Sequence, residues 1–380
     1  MTKLTDLCDI QYGYAFDSGA FTDDESYPQL VRIRDVKRGY SETYYNGEYP
    51  EEYVLSAGDL LIGMDGEFNI ARWKVDGALL NQRVCKIIVK DNADEEFLRF
   101  ALSKALKAIE DRTSFATVKH LSAKELNKLE IPVPPYEEQK KISEILHRLE
   151  KVIDIRQNEL ASLDELIKAR FVELFGDMAD SQCKWDKCKL IDACADSNDI
   201  KCGPFGTQLG KDEYTDSGVE VWEIPQINSE FKTMPTHFVT KEKAQNLEQY
   251  SIRPGDIAMS RKGNVGRCAV FPESFEEGII HSDVLRIRVD GSRVAPEFMM
   301  RQLHYSGDIQ HQIELVSSGA IMAGINVTKL KDICVYVPPK TLQDEFVSFV
   351  KQVDKSKVAV KKALDETQTL FDSLMQEYFG

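Results

Sequence analysis

The sequence predicts a mixed α/β (α+β) protein in which two similar globular domains alternate with two long helices, related by a pseudo-twofold internal repeat. Three observations support this prediction. VPPYEEQKK at 133–141 returns as VPPKTLQDE at 337–345, 204 positions later, and the LFG at 174–176 returns as YFG at 378–380 at the same offset. Apolar residues follow both V-P-P starts at helical spacing, and shorter similarities precede both.

The globular segments carry the weaker part of the repeat. KLTDLC at 3–8 resembles KLIDAC at 189–194, GDL at 58–60 resembles GDI at 255–257, and FL at 97–98 resembles FM at 298–299. The offsets differ, so the connecting loops have changed length. The resulting boundaries are 1–132 for the first domain, 133–180 for the first long helix, 181–335 for the second domain and 336–380 for the second long helix.

Within the domains, the sequence predicts strands at 29–36, 84–89, 219–224 and 285–289, and amphipathic helices at 94–110 and 296–316. Each domain then ends in a short apolar strand that leads into Pro-Pro. Two prolines prevent a helix from extending backwards and preset its first turn, while Gly176 provides a stop.

Each long helix is expected to span about 40 residues, or roughly 60 Å. Their apolar stripes are most simply buried if the helices pair as an antiparallel coiled coil. Two independent domains, each covered by its own helix, remain the alternative. The residues expected to pair are Ile142, Leu149, Leu160, Leu163, Phe171, Phe349, Val353, Leu364 and Leu370.

Composition limits the possible functions. The net charge is −15 and none of the four segments has an excess of Lys and Arg, so a nucleic-acid-binding face must come from local clusters. The sequence has no apolar run near the roughly 20 residues of a membrane span, and its first residues lack the apolar core of a signal peptide. A cytoplasmic location and no membrane partner are therefore expected.

Catalytic motifs are incomplete. VPPY at 133–136 has valine where an amino-methyltransferase needs a hydrogen-bonding residue before the prolines, and GKD at 210–212 has Asp where a phosphate-binding loop needs Ser or Thr. Cys183, Cys188, Cys194 and Cys202 lack the spacing of a zinc site. We expect no catalytic residues and no metal ligands.

The domains instead contain loops of cations, amides and glycines, of which SRKGNVGR at 260–267 is the most basic. Together with GYAFDS at 13–18, GPFGTQL at 203–209, GDIAMSRKG at 255–263 and both V-P-P-x3-Q helix starts, these segments resemble the specificity subunits of type I restriction-modification systems. The resemblance extends over essentially the whole chain.

This resemblance implies a non-catalytic DNA-recognition subunit whose two target recognition domains each read one half of a bipartite double-stranded DNA sequence. The helices would act as a spacer and would dock two methyltransferase subunits, and restriction subunits would join for cleavage. S-adenosylmethionine would be bound by the methyltransferase, and ATP and Mg²⁺ by the motor-nuclease subunit, with no cofactor on this chain. A coiled-coil scaffold that does not bind DNA remains the alternative.

By the same resemblance, DNA contacts are expected on loops. Arginine suits guanine, asparagine and glutamine suit adenine, and lysine mostly binds phosphate. The expected contacts in the first domain are Tyr14, Phe16, Ser18, Arg32, Arg34, Asn81, Gln82 and Arg83, and those in the second are Phe205, Thr207, Gln208, Arg261, Lys262, Asn264, His281 and Ser282.

Overall fold

A computed structural model describes residues 1–112, 120–176, 178, 183–317 and 324–380. The chain divides into two compact units, one formed by Met1–Glu159 with Val360–Gly380 and the other by Leu160–Ala359. Each unit therefore combines one globular half with the first part of one long helix and the last part of the other. Among the described residues, no helix combines the length and apolar character that crossing a bilayer requires.

The first globular half contains short strands and helices. Its strands are β1 (Thr2–Lys3), β2 (Cys8–Tyr12), β3 (Phe21–Thr22), β4 (Leu30–Val31), β5 (Tyr44–Tyr45), β6 (Val54–Leu55), β7 (Leu60–Gly63), β8 (Ile70–Arg72), β9 (Ala78–Leu80), β10 (Val84–Val89) and β11 (Glu130–Ile131). Its helices are α1 (Leu4–Leu7), α2 (Ile33–Val36), α3 (Glu95–Arg112) and α4 (Ala123–Asn127). The first long helix, α5 (Tyr136–Phe175), follows.

The second globular half has a similar series. Its strands are β12 (Lys187–Lys189), β13 (Ile200–Cys202), β14 (Val219–Trp222), β15 (Phe238–Val239), β16 (Ser251–Ile252), β17 (Ile257–Ser260), β18 (Cys268–Val270), β19 (Gly278–Ile280), β20 (Val284–Ile287) and β21 (Cys334–Tyr336). Its helices are α6 (Ile224–Asn228), α7 (Lys241–Asn246), α8 (Pro296–Tyr305), α9 (Gly307–Ser317) and α10 (Val327–Lys331), and the second long helix is α11 (Lys340–Phe379).

Each half has its own copy of the same two main sheets. A four-stranded sheet has the order β2-β10-β7-β8 in the first half and β13-β20-β17-β18 in the second. A second sheet pairs β4 with β9 in parallel in the first half, and β14 with β19 in parallel in the second. The first and last strands of each half also pair with each other, as β1 with β11 and β12 with β21. The repeat seen in the sequence is therefore also present in the topology.

Both long helices have 40 residues, as the sequence predicts. Gly176 adopts φ +77°, and its N–H donates to Val172 O at 2.8 Å, which ends the first helix in the manner of a C-terminal glycine.

In the first unit, the beginning of α5 and the end of α11 share one apolar core. Ile142 and Leu146 are buried in the same cluster as Met375. The ring of Phe379 lies 5.2 Å from that of Phe97 on α3. The final turns of α11 therefore pack on the globular half that precedes α5.

The second unit repeats this arrangement with the roles of the helices exchanged. The Phe171 ring near the end of α5 lies 5.5 Å from the Phe346 ring near the start of α11, and the Phe175 ring lies 4.7 Å from that of Phe298 on α8. Arg170 Nη2 and Glu345 Oε1 form an ion pair at 2.6 Å. In each unit, the end of one long helix thus meets the beginning of the other.

The residues expected to pair on the helices differ in burial. Ile142, Phe171 and Val353 are buried, whereas Leu149, Leu160, Leu163, Phe349 and Leu364 are half-buried. Leu370 is 50% exposed, and the neighbouring Phe371 packs against the core instead.

A buried glutamine explains the repeated V-P-P-x3-Q motif. Gln139 is 2% exposed; its Oε1 accepts from the N–H of Asp94 at 2.9 Å, and its Nε2 donates to Pro134 O at 2.9 Å. Asp94 in turn caps α3, because its Oδ1 accepts from the N–H of Phe97. The glutamine therefore ties the start of α5 to the start of α3.

Gln343 makes the same connection in the second half. It is fully buried; its Oε1 accepts from the N–H of Ala295 at 2.8 Å, and its Nε2 donates to Pro338 O at 2.7 Å. Ala295 directly precedes α8. We call these two contacts the glutamine clamps.

Some elements differ from the sequence prediction. The strand predicted at 29–36 is confined to Leu30–Val31, because Asp35 accepts from the N–H of Arg32 and starts α2 instead. The strand predicted at 219–224 ends at Trp222. The helix predicted at 296–316 is interrupted at Ser306, which has an extended backbone (φ −81°, ψ 114°) and separates α8 from α9.

Replacing Gln139 or Gln343 with leucine should lower the free energy of unfolding by about 1–3 kcal/mol, since a buried backbone N–H loses its acceptor. Urea unfolding followed by circular dichroism would measure the loss. Gln157→Leu, on the exposed face of α5, is the matched control and should stay within about 0.5 kcal/mol of the parent. Equal losses at all three positions would contradict a specific role for the clamps.

Candidate nucleic-acid interface

In the first half, three segments meet at one edge of the four-stranded sheet. Strand β10 is antiparallel to both of its neighbours, with Cys85 opposite Tyr12 and Val84 opposite Gly63. The ends of β2 and β7 therefore lie beside the start of β10. The segments 13–18, 64–66 and 81–83 leave the sheet there, and we call this place the first edge.

The second half forms an equivalent edge. Strand β20 pairs with β13 through Leu285 and Cys202, and with β17 through Val284 and Ser260. The segments 203–209, 261–267 and 281–283 therefore leave the sheet together, at what we call the second edge.

At each edge, one glycine allows two loops to approach each other closely. A Cβ atom on Gly13 would lie 2.1 Å from the carbonyl oxygen of Asn81, and one on Gly203 would lie 2.2 Å from that of His281. The Gly13 N–H donates to Val84 O at 3.0 Å, and the Gly203 N–H donates to Val284 O at 3.1 Å. Only glycine fits this approach, so both edges depend on the same local construction.

The first edge presents one exposed aromatic ring. Tyr14 is 41% exposed, and its ring lies 5.1 Å from that of Phe16 and 5.2 Å from that of Tyr53. Phe16, in contrast, is only 5% exposed and packs on Tyr45. In this conformation Phe16 supports the loop from the core, whereas Tyr14 and the exposed Ser18 are accessible to a ligand.

The segment 81–83 carries one buried and two exposed side chains. Asn81 is 8% exposed, and its Oδ1 is buried without a hydrogen-bond partner among the described residues. Gln82 and Arg83 are exposed, and Arg83 adopts φ +73°. A positive φ is unfavourable for a non-glycine residue and is frequent at functional sites.

Arg32 directly precedes the neighbouring helix α2, and Arg34 lies within it. Both are exposed, and they flank Ile33, whose Cγ2 lies 3.2 Å from where a Cβ on Gly63 would be. This contact holds α2 against the end of β7, so the two arginines stand next to the first edge.

At the second edge, two of the predicted residues touch. The guanidinium carbon of Arg261 lies 5.3 Å from the ring centroid of Phe205, which is 52% exposed. Arg261 Nε also donates to Ile325 O at 3.2 Å. The cation–π contact and this hydrogen bond restrict the orientation of the guanidinium, while Phe205 keeps an open face for stacking.

The remaining predicted residues of the second edge fall into three groups. Gln208 is engaged within the protein, because its Oε1 accepts from the hydroxyl of Tyr250 at 2.8 Å. Thr207 and Asn264 are exposed, whereas Lys262, His281 and Ser282 are half-buried.

Three side chains near the predicted His281 were missed from the sequence, namely Tyr214, Glu223 and His237. Glu223 lies 2.8 Å from His237 Nδ1 and 3.9 Å from His281 Nε2. The ring of Tyr214 stacks on His237, and burial, together with the charges of Glu223 and Asp283, raises the pKa of this tyrosine. Tyr214 therefore stays a neutral hydrogen-bond donor at physiological pH.

Asp65 and Asp283 were also missed. The turn 64–66 follows β7 in ungapped register with 261–263 after β17, and both turns end in a glycine of positive φ, Gly66 at +73° and Gly263 at +69°. Extending the sequence similarity between GDL and GDI as far as these glycines aligns Asp65 with Lys262 in the basic segment 260–267.

The two edges offer exposed rings, amides and cations, which suit stacking, base-edge hydrogen bonds and phosphate contacts. Within the described ranges, no group of His, Cys, Asp or Glu is arranged to hold a metal ion. Burial raises the pKa of the Cys8, Cys85 and Cys268 thiols to about 12, which leaves them protonated.

Comparison with known proteins agrees with this architecture. The family model for the type I restriction modification DNA specificity domain matches residues 1–165 and 200–367. The specificity subunit of the type I restriction enzyme EcoBI from Escherichia coli is 30% identical over 404 aligned positions, covering 99% of this chain and 84% of that protein. The specificity subunit of the enzyme MjaVIII from Methanocaldococcus jannaschii is 20% identical, with coverage of 84% and 79%.

Solved structures are similar in fold. The S subunit of a type I restriction-modification system from M. genitalium superimposes with a TM-score of 0.59 at 16% identity, covering 100% of this chain and 95% of that one. A chain from a structure that concerns assembly and conformational transition of the type I system gives a TM-score of 0.56 at 20% identity, covering 99% and 95%.

Arg261→Ala should weaken binding to the recognised DNA sequence by about 1–3 kcal/mol if its guanidinium contacts a base. The measurement is fluorescence anisotropy of the assembled complex with recognised and unrelated duplexes. Arg253→Ala, an exposed arginine just before β17 and so at the opposite end of that strand, is the control and should bind like the parent. An equal loss on both duplexes would assign Arg261 to phosphate binding instead.

Proposed function

Because this chain belongs to the type I restriction-modification DNA specificity family, we propose that it is the DNA-reading subunit of a type I complex. Each globular half reads one half of a bipartite, asymmetric sequence. The observation that carries this proposal is the duplicated edge, at which equivalent loops converge but carry different side chains.

The edges have the chemistry that direct readout requires. A shared framework of strands and close-approach glycines fixes the positions of three loops in each half. The side chains on those loops differ, with Asn81-Gln82-Arg83 in the first half and His281-Ser282-Asp283 in the second. Different donors and acceptors at equivalent positions select different bases, so the two halves of the target should differ.

Affinity comes from local rather than overall charge. A net charge of −15 opposes association of the isolated chain with the DNA backbone. The cations at the edges supply the local attraction, and we expect methyltransferase subunits to supply much of the remaining positive surface. Binding should therefore weaken steeply as salt concentration rises.

The long helices are the proposed spacer and docking site, pairing antiparallel as a coiled coil along their length. The contacts within each unit, where the end of one helix meets the beginning of the other, support antiparallel pairing. The docking role is supported by exposed apolar side chains on α5, among them Ile145, Val152 and Ile155, which are 42%, 38% and 53% exposed. The proposed segments are 1–132 and 181–335 for target recognition, and 133–180 and 336–380 for the helices.

The partners follow from the same assignment. Two methyltransferase subunits would bring S-adenosylmethionine for adenine methylation, and restriction subunits would bring ATP- and Mg²⁺-dependent motor and nuclease activity. This chain would bind double-stranded DNA and hold these subunits without catalysing a reaction, in the cytoplasm.

Co-expression of this chain with its methyltransferase in a methylation-free host should create one bipartite adenine-methylated motif, detected by methylome sequencing. Replacing residues 1–132 with the corresponding domain of a relative should change one half of that motif and leave the other half unaltered, because each edge lies within one half. A complex that assembles but methylates no motif would overturn the DNA-reading role.

Ile155→Asp should reduce co-purification with the methyltransferase, since docking would bury an unpaired charge. The residue is more than half exposed, so the free chain should fold normally, which circular dichroism would verify. Asn158→Asp, also exposed on α5, introduces the same charge as a control. Undiminished co-purification of the Ile155 variant would place the docking site elsewhere.

A further inference from the structure

Equivalent backbone hydrogen bonds align the two edges residue by residue. The Met64 N–H donates to Arg83 O at 2.8 Å, as the Arg261 N–H does to Asp283 O at 2.9 Å. The Leu121 N–H donates to Met64 O at 2.7 Å, as the Ile325 N–H does to Arg261 O at 3.1 Å. These bonds make Arg83 equivalent to Asp283.

The turn after the central strand gives the second correspondence. Residues 58–66 align without a gap with residues 255–263, from one Gly-Asp pair to the positive-φ glycine. Asp65 therefore occupies the position of Lys262.

At these two positions, both halves form an ion pair across the edge, but with reversed polarity. In the first half, Arg83 Nε on the segment 81–83 lies 3.6 Å from Asp65 Oδ2 on the turn. In the second half, the carboxylate of Asp283 is on the segment 281–283 and lies 2.8 Å from Lys262 Nζ on the turn. The ion pair is therefore present in both halves, but the cation is on the segment 81–83 in the first half and on the turn in the second.

In both halves the cation of the pair is more exposed than the carboxylate, whichever loop carries it. The cations are the more accessible members, with side-chain exposures of 52% for Arg83 and 45% for Lys262. The carboxylates are more sheltered, at 23% for Asp65 and 27% for Asp283. Ion pairs this exposed contribute little to stability, so stability alone does not account for a pair at both edges.

The surroundings of the two pairs differ. His120 lies beside the first pair, with Nδ1 3.2 Å from Arg83 Nη1 and hydrogen-bonded to Asp65. In the second half, His281 Nδ1 accepts from the Asp283 N–H at 3.2 Å, and Glu223 lies on the other side of that histidine. The Asp65 carboxylate thus has a second interaction that keeps it in place if its cation moves, whereas in the second half His281 fixes the backbone of Asp283.

We propose that the polarity of this ion pair decides which loop of each half delivers a cation to DNA. Resting on the proposed function, this makes positions 65 and 83, and 262 and 283, determinants of half-site specificity. In the free protein the carboxylate holds the cation at the edge. On binding, DNA acceptors, either phosphate oxygens or a guanine edge, replace the carboxylate, and the cation reaches DNA from the segment 81–83 in the first half but from the turn in the second.

The side-chain types fit this division. Arginine can donate two hydrogen bonds to guanine O6 and N7, whereas lysine acts as a point charge that suits phosphate. The positive φ of Arg83 is a strained conformation that directs this side chain from the loop, and strain of this kind is characteristic of ligand-binding positions.

The test is an exact charge exchange in the full complex, D65R/R83D, followed by methylome sequencing and thermal unfolding. The exchange restores an ion pair with the polarity of the second half. We expect assembly and the unfolding midpoint to match the parent, while methylation of the parental motif falls at least about tenfold or its first half changes. The mirror exchange K262D/D283K should affect only the second half of the motif.

Undiminished methylation of the parental motif by D65R/R83D would overturn the proposal, because the pair would then be a structural link indifferent to polarity. If the exchange prevents assembly, Arg83→Lys and Arg83→Met decide instead. Methionine, which lacks the charge, should lower methylation of the parental motif at least about tenfold. Lysine should retain most methylation where the cation meets phosphate, and should lose it as methionine does where the guanidinium reads a guanine edge. Undiminished methylation by Arg83→Met would overturn the proposal. Failure of the parent complex to methylate any motif would count against the proposed function itself.

Discussion

The buried glutamine at each helix start is the interaction on which the rest of the fold depends. A 40-residue helix can act as a rigid arm only if its first turn is fixed to the domain it leaves. Gln139 and Gln343 provide this by accepting a hydrogen bond from the backbone before a domain helix and donating one to the proline carbonyl. Proline cannot donate, so the glutamine amide supplies hydrogen bonds in a place where backbone pairing is interrupted.

The aromatic residues complete what the glutamines begin. Phe97 and Phe298 lie in the first turn of the helices that the clamps hold. Each of them packs against a phenylalanine from the last turn of a long helix. Helix starts are thus positioned by hydrogen bonds, and helix ends by aromatic packing. Both devices occur in both halves, whereas the loops at the edges share a backbone frame and little of their side-chain chemistry.

The sequence predicted the parts of the fold that depend on repetition and periodicity. The long helices and the duplicated order of elements follow from a repeat at a constant offset without gaps and from an apolar stripe at helical spacing. Both signals can be read from one sequence. The strand predicted at 29–36 is too long, because apolar and polar residues continue to alternate through α2. There the side chain of Asp35 accepts a hydrogen bond from the N–H of Arg32 and stabilises the start of a helix instead. The interruption at Ser306 was missed because apolar residues continue at helical spacing on both sides of it.

The candidate interface was predicted less completely, for a physical reason. Side-chain type indicates chemistry but not exposure, so Phe16 and Tyr14 looked equivalent until one proved to be buried and the other open. The motifs of the loops point to cations and amides and not to Asp65 and Asp283, whose importance lies in the side chains that they face. The hydrogen-bond pattern at the edges reveals that Arg83 in one half corresponds to Asp283 in the other.

The two-stranded ribbons formed by β1 with β11 and by β12 with β21 have a consequence for how such chains diverge in length. Thr2 is paired with Ile131, and Lys187 with Tyr336, so each half is entered and left at the same place. Residues added or removed between these strands enlarge or shrink a closed loop, at an entropic cost that grows only slowly with length. The helix start stays where the ribbon puts it. Surface loops can therefore lengthen, shorten or be rebuilt in one half without shifting the arm that follows it.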